Sequence, residues 1–401
     1  MEKLKEKRVI RDCIHGYIHI DYKVIWDCIN TREFQRLRRI RQLGSTLIVF
    51  PCGEHSRATH SFGTYEIARR MIEEVDGLKE SLTEREQVVL MLAALLHDIG
   101  HAPFSHSFEA VMGTKHEDYT IQIITGDSEV YDVLRRVDER LPGEVASVIS
   151  HTHPKRLLSQ LISSQLDADR LDYLLRDSYF TGTSYGQVDL DRILRTMRVR
   201  DGRITVKESS IFTVENYIMA RYHMYWQVYY HPNSRSYDVI LRSLFTRLRD
   251  LYVRHPEIAV RYPMYKALLS KSRLSNDDLY LLDDPTVIYS LHLMENGNDR
   301  ILKDLARRIL NRDLFEYSTS KRKEELDRMC SLRRIESRYY VVVDHQSQVP
   351  YLPYTGNNAQ AIWMLTSEGV KELSQVSDVV ASLSYIDEQD ERVFYPREIE
   401  E

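Results

Sequence analysis

The longest apolar run in the chain, Val88 to Leu96, ends on the charged dipeptide His97-Asp98. A helix that is apolar on every side is buried. Upstream, Thr83-x-x-Glu86 reads as a capping box that opens such a helix, and Gly100 and Pro103 mark its end. An imidazole and a carboxylate are therefore carried to the end of a core helix, where a charge needs a compensating partner. The same run is about half of what a membrane span needs.

Around this element, period-3.6 patterns dominate from residue 23 to about residue 335, with no internal repeat or low-complexity linker. They predict a mainly α body. Phe34, Leu37, Ile40 and Leu43 share one helix face that Gly44 stops, while Arg32, Arg36 and Arg39 point elsewhere and read as a solvated face. Further helices are expected over 60–75, 115–125, 155–177, 213–231 and 238–254, one of them closed by Pro232. After residue 335 the texture changes: 339–343 and 361–365 read as strands, 370–383 as a helix and 392–395 as a last strand. The expected division is a helical body over 1–335, its motif-bearing core at about 50–180, and a small α+β appendage over 336–401. At 401 residues the chain exceeds the roughly 250–300 residues beyond which single cores tend to split.

Charge narrows the function. The balance of 55 basic against 60 acidic side chains argues against wholesale coating of nucleic acid, although residues 1–57 carry 12 basic and 7 acidic groups and form a positive segment. Cys13, Cys28, Cys52 and Cys330 have no Cys-x-x-Cys spacing, so neither a disulfide framework nor a thiolate metal site is expected. With no apolar leader at the N-terminus, a cytoplasmic protein with no membrane partner is the expectation.

His97-Asp98-x-x-His101 places His97 and His101 on one helical face with Asp98 about 100° round, so that an imidazole and a carboxylate converge at the helix end. Alone, such a pair equally serves as a cap or a salt bridge. His101, His106 and His116 follow within twenty residues, together with Glu109 and Glu117. Asp169 and Tyr173 stand at i and i+4 of a helix expected over Leu166 to Asp177, with Asp172 and Arg176 near that face and Leu171, Leu174 and Leu175 toward the core. The charges of this helix also fit an exposed ion-pair ladder, worth roughly 0.2–0.5 kcal/mol per pair.

Three segments carry a resemblance to a known family: Ser56-Arg57-Ala58-Thr59-His60-Ser61-Phe62-Gly63, the string from His97-Asp98-Ile99-Gly100-His101 to Ser105-His106, and Asp169-Arg170-Leu171-Asp172-Tyr173. They resemble the motifs of HD-domain proteins, and more narrowly those of the deoxynucleoside triphosphate triphosphohydrolases, which cleave a dNTP into deoxynucleoside and inorganic triphosphate. The likeness runs in order over roughly residues 8 to 240. It implies an HD-type helical bundle and a divalent metal (Mn, Mg, Fe, Co, Ni or Zn) held by His60, His97, Asp98 and Asp169. It also implies His106 as general acid, with Glu109 where relatives often have Asp, and His101 and His116 facing the phosphates.

The resemblance assigns Arg57, Arg170, Tyr173 and Arg221 to the triphosphate and Gln42 and Asp177 to the sugar 3′-hydroxyl. Leu43 and Tyr229 match a floor that excludes a 2′-hydroxyl, and Tyr225 shares the predicted helix face of Arg221 and Tyr229. Arg8, Val9, Gln35 and Arg38 match positions that bind an activating nucleotide between subunits of a homotetramer. Asn30 and Cys13 depart from the pattern there, where relatives carry Asp and Pro, and leave guanine selection open.

Two other readings remain at this point. An HD-type phosphodiesterase or 5′-nucleotidase would keep the metal ligands without needing Arg57, Arg221, Tyr173 and the Gln42-Leu43 pair. A nucleic-acid-binding protein would use Arg32 to Arg41 with a Tyr217 to Tyr230 stacking platform. There is no Gly-x4-Gly-Lys-Ser/Thr, so a P-loop does not hold the phosphates.

Overall fold

The computed structural model describes residues 1–104, 108–109, 113, 115–355 and 360–401. It opens with an antiparallel hairpin, β1 (Lys3–Asp12) and β2 (Gly16–Tyr22), in register Asp12 to Gly16. Alternation explains β2: Ile18, Ile20 and Tyr22 are buried while the residues between them are not. The hairpin is the first departure from an all-helical body.

Helices α1 (Lys23–Ile29) and α2 (Arg32–Arg36) follow, the second capped by the Thr31 side chain. The helix expected to run on to Leu43 stops early: a 3-10 turn over Leu37–Arg39 leads into extended Ile40, and Arg41 bridges Ser56. Nor is Arg36 part of a solvated face. It is buried, donating from Nε to the Leu282 carbonyl at 3.0 Å and from Nη2 to the His101 carbonyl at 2.7 Å, so it ties the turn after His97-Asp98 in place.

The motif-bearing helices are α3 (Arg57–Glu74), α4 (Glu84–Leu96), α5 (His116–Thr125), α6 (Arg156–Ile162) and α7 (Ala168–Thr181). α3 packs against both α4 and α7. The Thr83/Glu86 capping box forms, and every residue from Val88 to Leu96 is buried. Burying Leu90, Leu92, Leu95 and Leu96 stabilises by roughly 1.5–3 kcal/mol each, against about 1 kcal/mol for a cap; packing holds this helix. The single helix expected over 155–177 is two. The buried Asp167 carboxylate accepts from the backbone N–H of Ser164 at 2.6 Å and of Arg170 at 2.7 Å, and so caps a new helix instead of continuing the old one.

α8 (Ile211–Met224) widens into a π turn over Tyr225–Tyr229, closed by the bond from Tyr230 N to Tyr225 O at 2.8 Å, and Pro232 then opens α9 (Pro232–Arg254) where it was expected only to close a helix. β3 (Met197–Arg200) and β4 (Arg203–Lys207) join β7 (Trp363–Thr366) and β8 (Gly369–Glu372) in one sheet, with β4 and β7 parallel. β5 (Glu316–Thr319), β9 (Glu388–Tyr395) and β6 (Val342–Gln348) form another. The tail strands are thus hydrogen-bonded to strands from the body. Tyr339 and Tyr340 belong to a short helix, and the expected helix 370–383 is a strand, β8, followed by α10 (Asp378–Leu383). Among the described residues no helix is long and apolar enough to cross a membrane.

Candidate metal centre

His60 sits in the first turn of α3, His97 and Asp98 directly follow α4, and Asp169 sits in the first turn of α7. His60 Nε2 lies 3.0 Å from Asp169 Oδ1 and 3.8 Å from Asp98 Oδ2, while His97 Nε2 lies 3.6 Å from Asp169 Oδ1 and 3.3 Å from Asp98 Oδ1. Ligand bonds of about 2.0–2.2 Å put the donors around one ion about 3 Å apart. His60, His97 and Asp169 form one such group, and Asp98 borders it with one oxygen 3.3 Å from His97 and the other 3.8 Å from His60.

The ring orientations agree with it. His60 Nδ1 is 2.8 Å from Asp172 Oδ2, and His97 Nδ1 is 2.9 Å from the Ala94 carbonyl. Those oxygens only accept, so each Nδ1 carries a proton and each Nε2 is the ring nitrogen that faces the carboxylates. His97 Nε2 is buried with no hydrogen-bond partner among the described residues. Two imidazole nitrogens and two carboxylates fit a divalent cation of the mixed N/O class, from Mg and Mn to Zn.

Electrostatics point the same way. Burial pulls the His60 imidazole down, but hydrogen bonds to Asp169 and Asp172 outweigh it and push it up to about 10. His97 is raised against its burial, first by Asp98. Against burial, His97, His101 and Arg57 hold the Asp98 carboxyl well below the usual range, and the facing imidazoles of His60 and His97 lower Asp169. The centre favours positive charge, and a cation there competes with protons for both Nε2 atoms.

Two motif glycines have steric reasons. A Cβ on Gly63 would lie 1.8 Å from Asp172 Oδ1, and a Cβ on Gly100 would lie 2.3 Å from the Thr120 backbone nitrogen. Neither neighbour can retreat without releasing a site residue: Asp172 holds His60, and Thr120 Oγ1 accepts from Gly100 N at 3.0 Å and donates to the His97 carbonyl at 2.9 Å.

Asp98, His101 and His116 form an adjoining group. His101 Nε2 is 3.3 Å and His116 Nε2 4.0 Å from Asp98 Oδ1, and the two imidazoles stack with centroids 3.6 Å apart. Burial, then the nearby Arg57 and His116, hold the His101 imidazole well below its ordinary value, so it is neutral. Glu109 Oε1 is 2.5 Å from His116 Nδ1 and orients that ring, while Arg57 Nη1 donates to Asp98 Oδ2 at 2.5 Å. His106 lies outside the described residues.

A cavity of about 570 Å³ opens over these groups. Of the residues singled out in the sequence, His60, Asp98, His101, His116 and Asp169 line it together with Gln42, Leu43, Arg57, Arg170, Tyr173, Asp177, Tyr225 and Tyr229. Gln42 Oε1 is buried without a hydrogen-bond partner among the described residues. Asp177 accepts from Tyr229 Oη at 2.7 Å and from His55 Nε2 at 2.8 Å. Arg221 does not line the cavity: its guanidinium turns to the carbonyls of Gln165 and Pro350, and the π turn breaks the continuous face expected from residue 221 to 229. Arg8, Val9, Gln35 and Arg38 lie elsewhere. Sequence reasoning missed Ser45, Thr46, Tyr230, Arg235, Asp238 and Gln346 in the cavity wall, and His15 and His55 behind it. His55 carried one cue, standing beside Ser56 at the head of the first motif. Gln346 comes from the tail, and no local pattern announces it.

Residues 57–177 match the family model for the HD domain, and residues 188–401 match that for the HD associated region. The chain belongs to the HD-domain phosphohydrolase family. As in that family, it depends on a divalent metal, which the His/Asp groups above can hold. This HD-domain protein is 44% identical to the uncharacterized protein YwfO of Bacillus subtilis, over 99% of this chain and 94% of that one. It is 34% identical to a deoxynucleoside triphosphate triphosphohydrolase, the SAMHD1 homolog of Dictyostelium discoideum, over 60% of this chain and 49% of that one. A crystal structure of a phosphohydrolase from Bacteroides thetaiotaomicron superposes with a TM-score of 0.83 at 27% identity, covering 97% of this chain and 100% of that chain.

Proposed function

We propose that this HD-domain protein hydrolyses deoxynucleoside triphosphates to deoxynucleoside and inorganic triphosphate, with His60, His97, Asp98 and Asp169 as the metal ligands. The observation that carries this reading is a cavity lined by His60, Asp98 and Asp169, with His97 beside the two carboxylates, and by Arg57, Arg170, Arg235 and a set of hydroxyl groups. A bound divalent cation would supply Lewis-acid polarisation of a phosphoryl oxygen and acidify the attacking water. Arg57 and Arg170 bring the cationic side chains that a polyanion needs, because phosphoryl transfer is mostly positioning and charge stabilisation. His101 and His116, neutral imidazole and oriented imidazole respectively, face the phosphoryl group, and His106 with Glu109 protonates the departing 5′-oxygen.

At the sugar, the Asp177 carboxylate accepts from the 3′-hydroxyl and the Gln42 amide donates to the oxygen of the same hydroxyl. Leu43 and Tyr229 lie against the ring and leave no room for a 2′-hydroxyl, while Tyr173 and Tyr225 complete the wall. Arg221 takes no part in this proposal. The relative named as a triphosphohydrolase supports the choice of substrate over a monophosphate or a phosphodiester.

Activation by a nucleotide at Arg8, Val9, Gln35 and Arg38, in a homotetramer, is the regulatory half of the reading. Val9 is 52% exposed, Arg38 donates to Gln35 at 2.9 Å, and the Arg38 guanidinium stands over the ring of Phe62, two residues from His60. The test is product analysis by ion chromatography after incubating the protein with Mn²⁺ or Mg²⁺ and dNTPs, singly and mixed. Triphosphate plus deoxynucleoside is expected, with faster turnover in mixtures. Orthophosphate or pyrophosphate as first product would overturn the proposed reaction.

A further inference from the structure

Asp172 stands behind the metal centre and has about four acceptor positions on its carboxylate. All of them are used. Oδ1 accepts from His15 Nε2 at 2.7 Å and Arg176 Nη2 at 2.9 Å, and Oδ2 accepts from His60 Nδ1 at 2.8 Å and Arg176 Nε at 2.9 Å. Arg176 continues to Asp12, from Nη1 to Oδ1 at 2.9 Å and from Nη2 to Oδ2 at 3.3 Å. Asp12 Oδ2 in turn accepts from the backbone N–H groups of Ile14 and His15, both at 2.9 Å, which shapes the turn between β1 and β2. The side chains of His15, Asp172 and Arg176 are almost wholly out of solvent.

We propose that His15 is a positioning residue for the metal centre. Through Asp172 it fixes the tautomer and ring plane of His60, so that the N-terminal hairpin is a working part of the metal site although it lies outside the segment that matches the HD domain. The proposal rests on the reading of His60 as a ligand. Its physical basis is that a carboxylate shared among donors is aimed by all of them. Without the His15 N–H, Oδ1 keeps only Arg176 and is left partly unsatisfied in a buried position, so the carboxylate turns and His60 Nδ1 loses its alignment. Outer-shell changes of this kind typically weaken metal binding by about 10–100-fold. The coupling is reciprocal: whatever orders the hairpin tightens the metal, and metal binding steadies the hairpin.

The test measures Mn²⁺ affinity, by competition with a chelator, for the full-length wild type, His15→Ala, His15→Gln and His60→Ala. The expected result is a loss of about 10–100-fold in His15→Ala and recovery of most of it in His15→Gln, whose amide nitrogen reaches about where the imidazole Nε2 lies. His60→Ala serves as the control for the ligand reading. If it retains binding, the metal assignment itself is wrong. If it loses binding while His15→Ala keeps wild-type affinity, the assignment stands and the positioning role is overturned. Equal loss in His15→Ala and His15→Gln also overturns it, because the loss is then one of packing. Should His15→Ala not fold, the wild type still decides: adding Mn²⁺ slows amide exchange at residues 12–16 if the relay couples the two, and unchanged exchange refutes the coupling.

Discussion

Two buried arginine–aspartate networks of similar chemistry do different jobs in this molecule. Around Asp172, Arg176 and Asp12 lock the hairpin turn to α7, and one branch reaches His60 at the cavity. Around Asp344 on β6, Arg235 Nε donates at 2.8 Å and Arg242 also pairs, while Arg235 bonds to Asp390 on β9, so the tail sheet is bolted to α9. Both aspartates are held below the usual carboxylate range by their arginines, against burial. A perturbed buried carboxylate therefore does not identify a functional site by itself. What separates the two is a histidine whose second nitrogen points at a cluster of carboxylates.

That comparison can be broken by removing each centre. Asp172→Ala should cost about 3–5 kcal/mol of stability, as loss of one member of a buried pair does, and should abolish Mn²⁺ binding. Asp344→Ala should cost a similar amount of stability with Mn²⁺ affinity unchanged. Urea unfolding and chelator competition on both variants decide it, and loss of metal from both would erase the distinction. Gly63→Ala presses a methyl into Asp172 and should cost about 1–3 kcal/mol as an overpacked site, with weakened metal binding; an unaltered thermal midpoint would show that α3 can shift freely.

The pH dependence sharpens the same point. Asp172 and Asp12 lie below their ordinary value of 3.8 in the folded chain, where Arg176 outweighs burial. A depressed folded value means that the stability they contribute is present above pH 3.8 and is lost as the pH falls below it. The urea midpoint of the wild type should therefore drop below pH 3.8, and that of Asp172→Asn should drop less steeply. The smallest effect is expected at the surface. Arg38→Ala should leave metal affinity and fold intact and weaken only the response to an added nucleotide, read as a rightward shift of the activation curve.

Much of the site was legible because its chemistry is written in short strings. The capping box, the apolar run and His97-Asp98 predicted a buried helix that delivers a ligand pair, and the helix forms with its cap. The solvated arginine face fails at Arg36 and the alternative of an exposed ladder fails at Asp172 and Arg176 for one reason: all three look like surface charges in sequence, yet each is buried against partners from distant segments, the His101 carbonyl for Arg36, His15 for Asp172 and Asp12 for Arg176. Period counting could not see Leu282, His15 or Asp12 approaching. The alternation in Tyr17-Ile18-His19-Ile20-Asp21-Tyr22 fits β2 and stands just ahead of the period-3.6 patterns that begin at residue 23. The π turn after Met224 and the turn of Arg221 to the carbonyls of Gln165 and Pro350, brought from distant segments, leave no trace in local composition.

The central claim is that His97, with its unpartnered Nε2, belongs to the metal centre on which hydrolysis depends. Calorimetric titration of Mn²⁺ into metal-free wild type and His97→Ala tests it directly, with dNTP hydrolysis followed on the same samples. The account predicts saturable binding and turnover in the wild type and neither in the variant, with the circular dichroism of both alike. Equal Mn²⁺ binding in the two, or full turnover by His97→Ala, would contradict it.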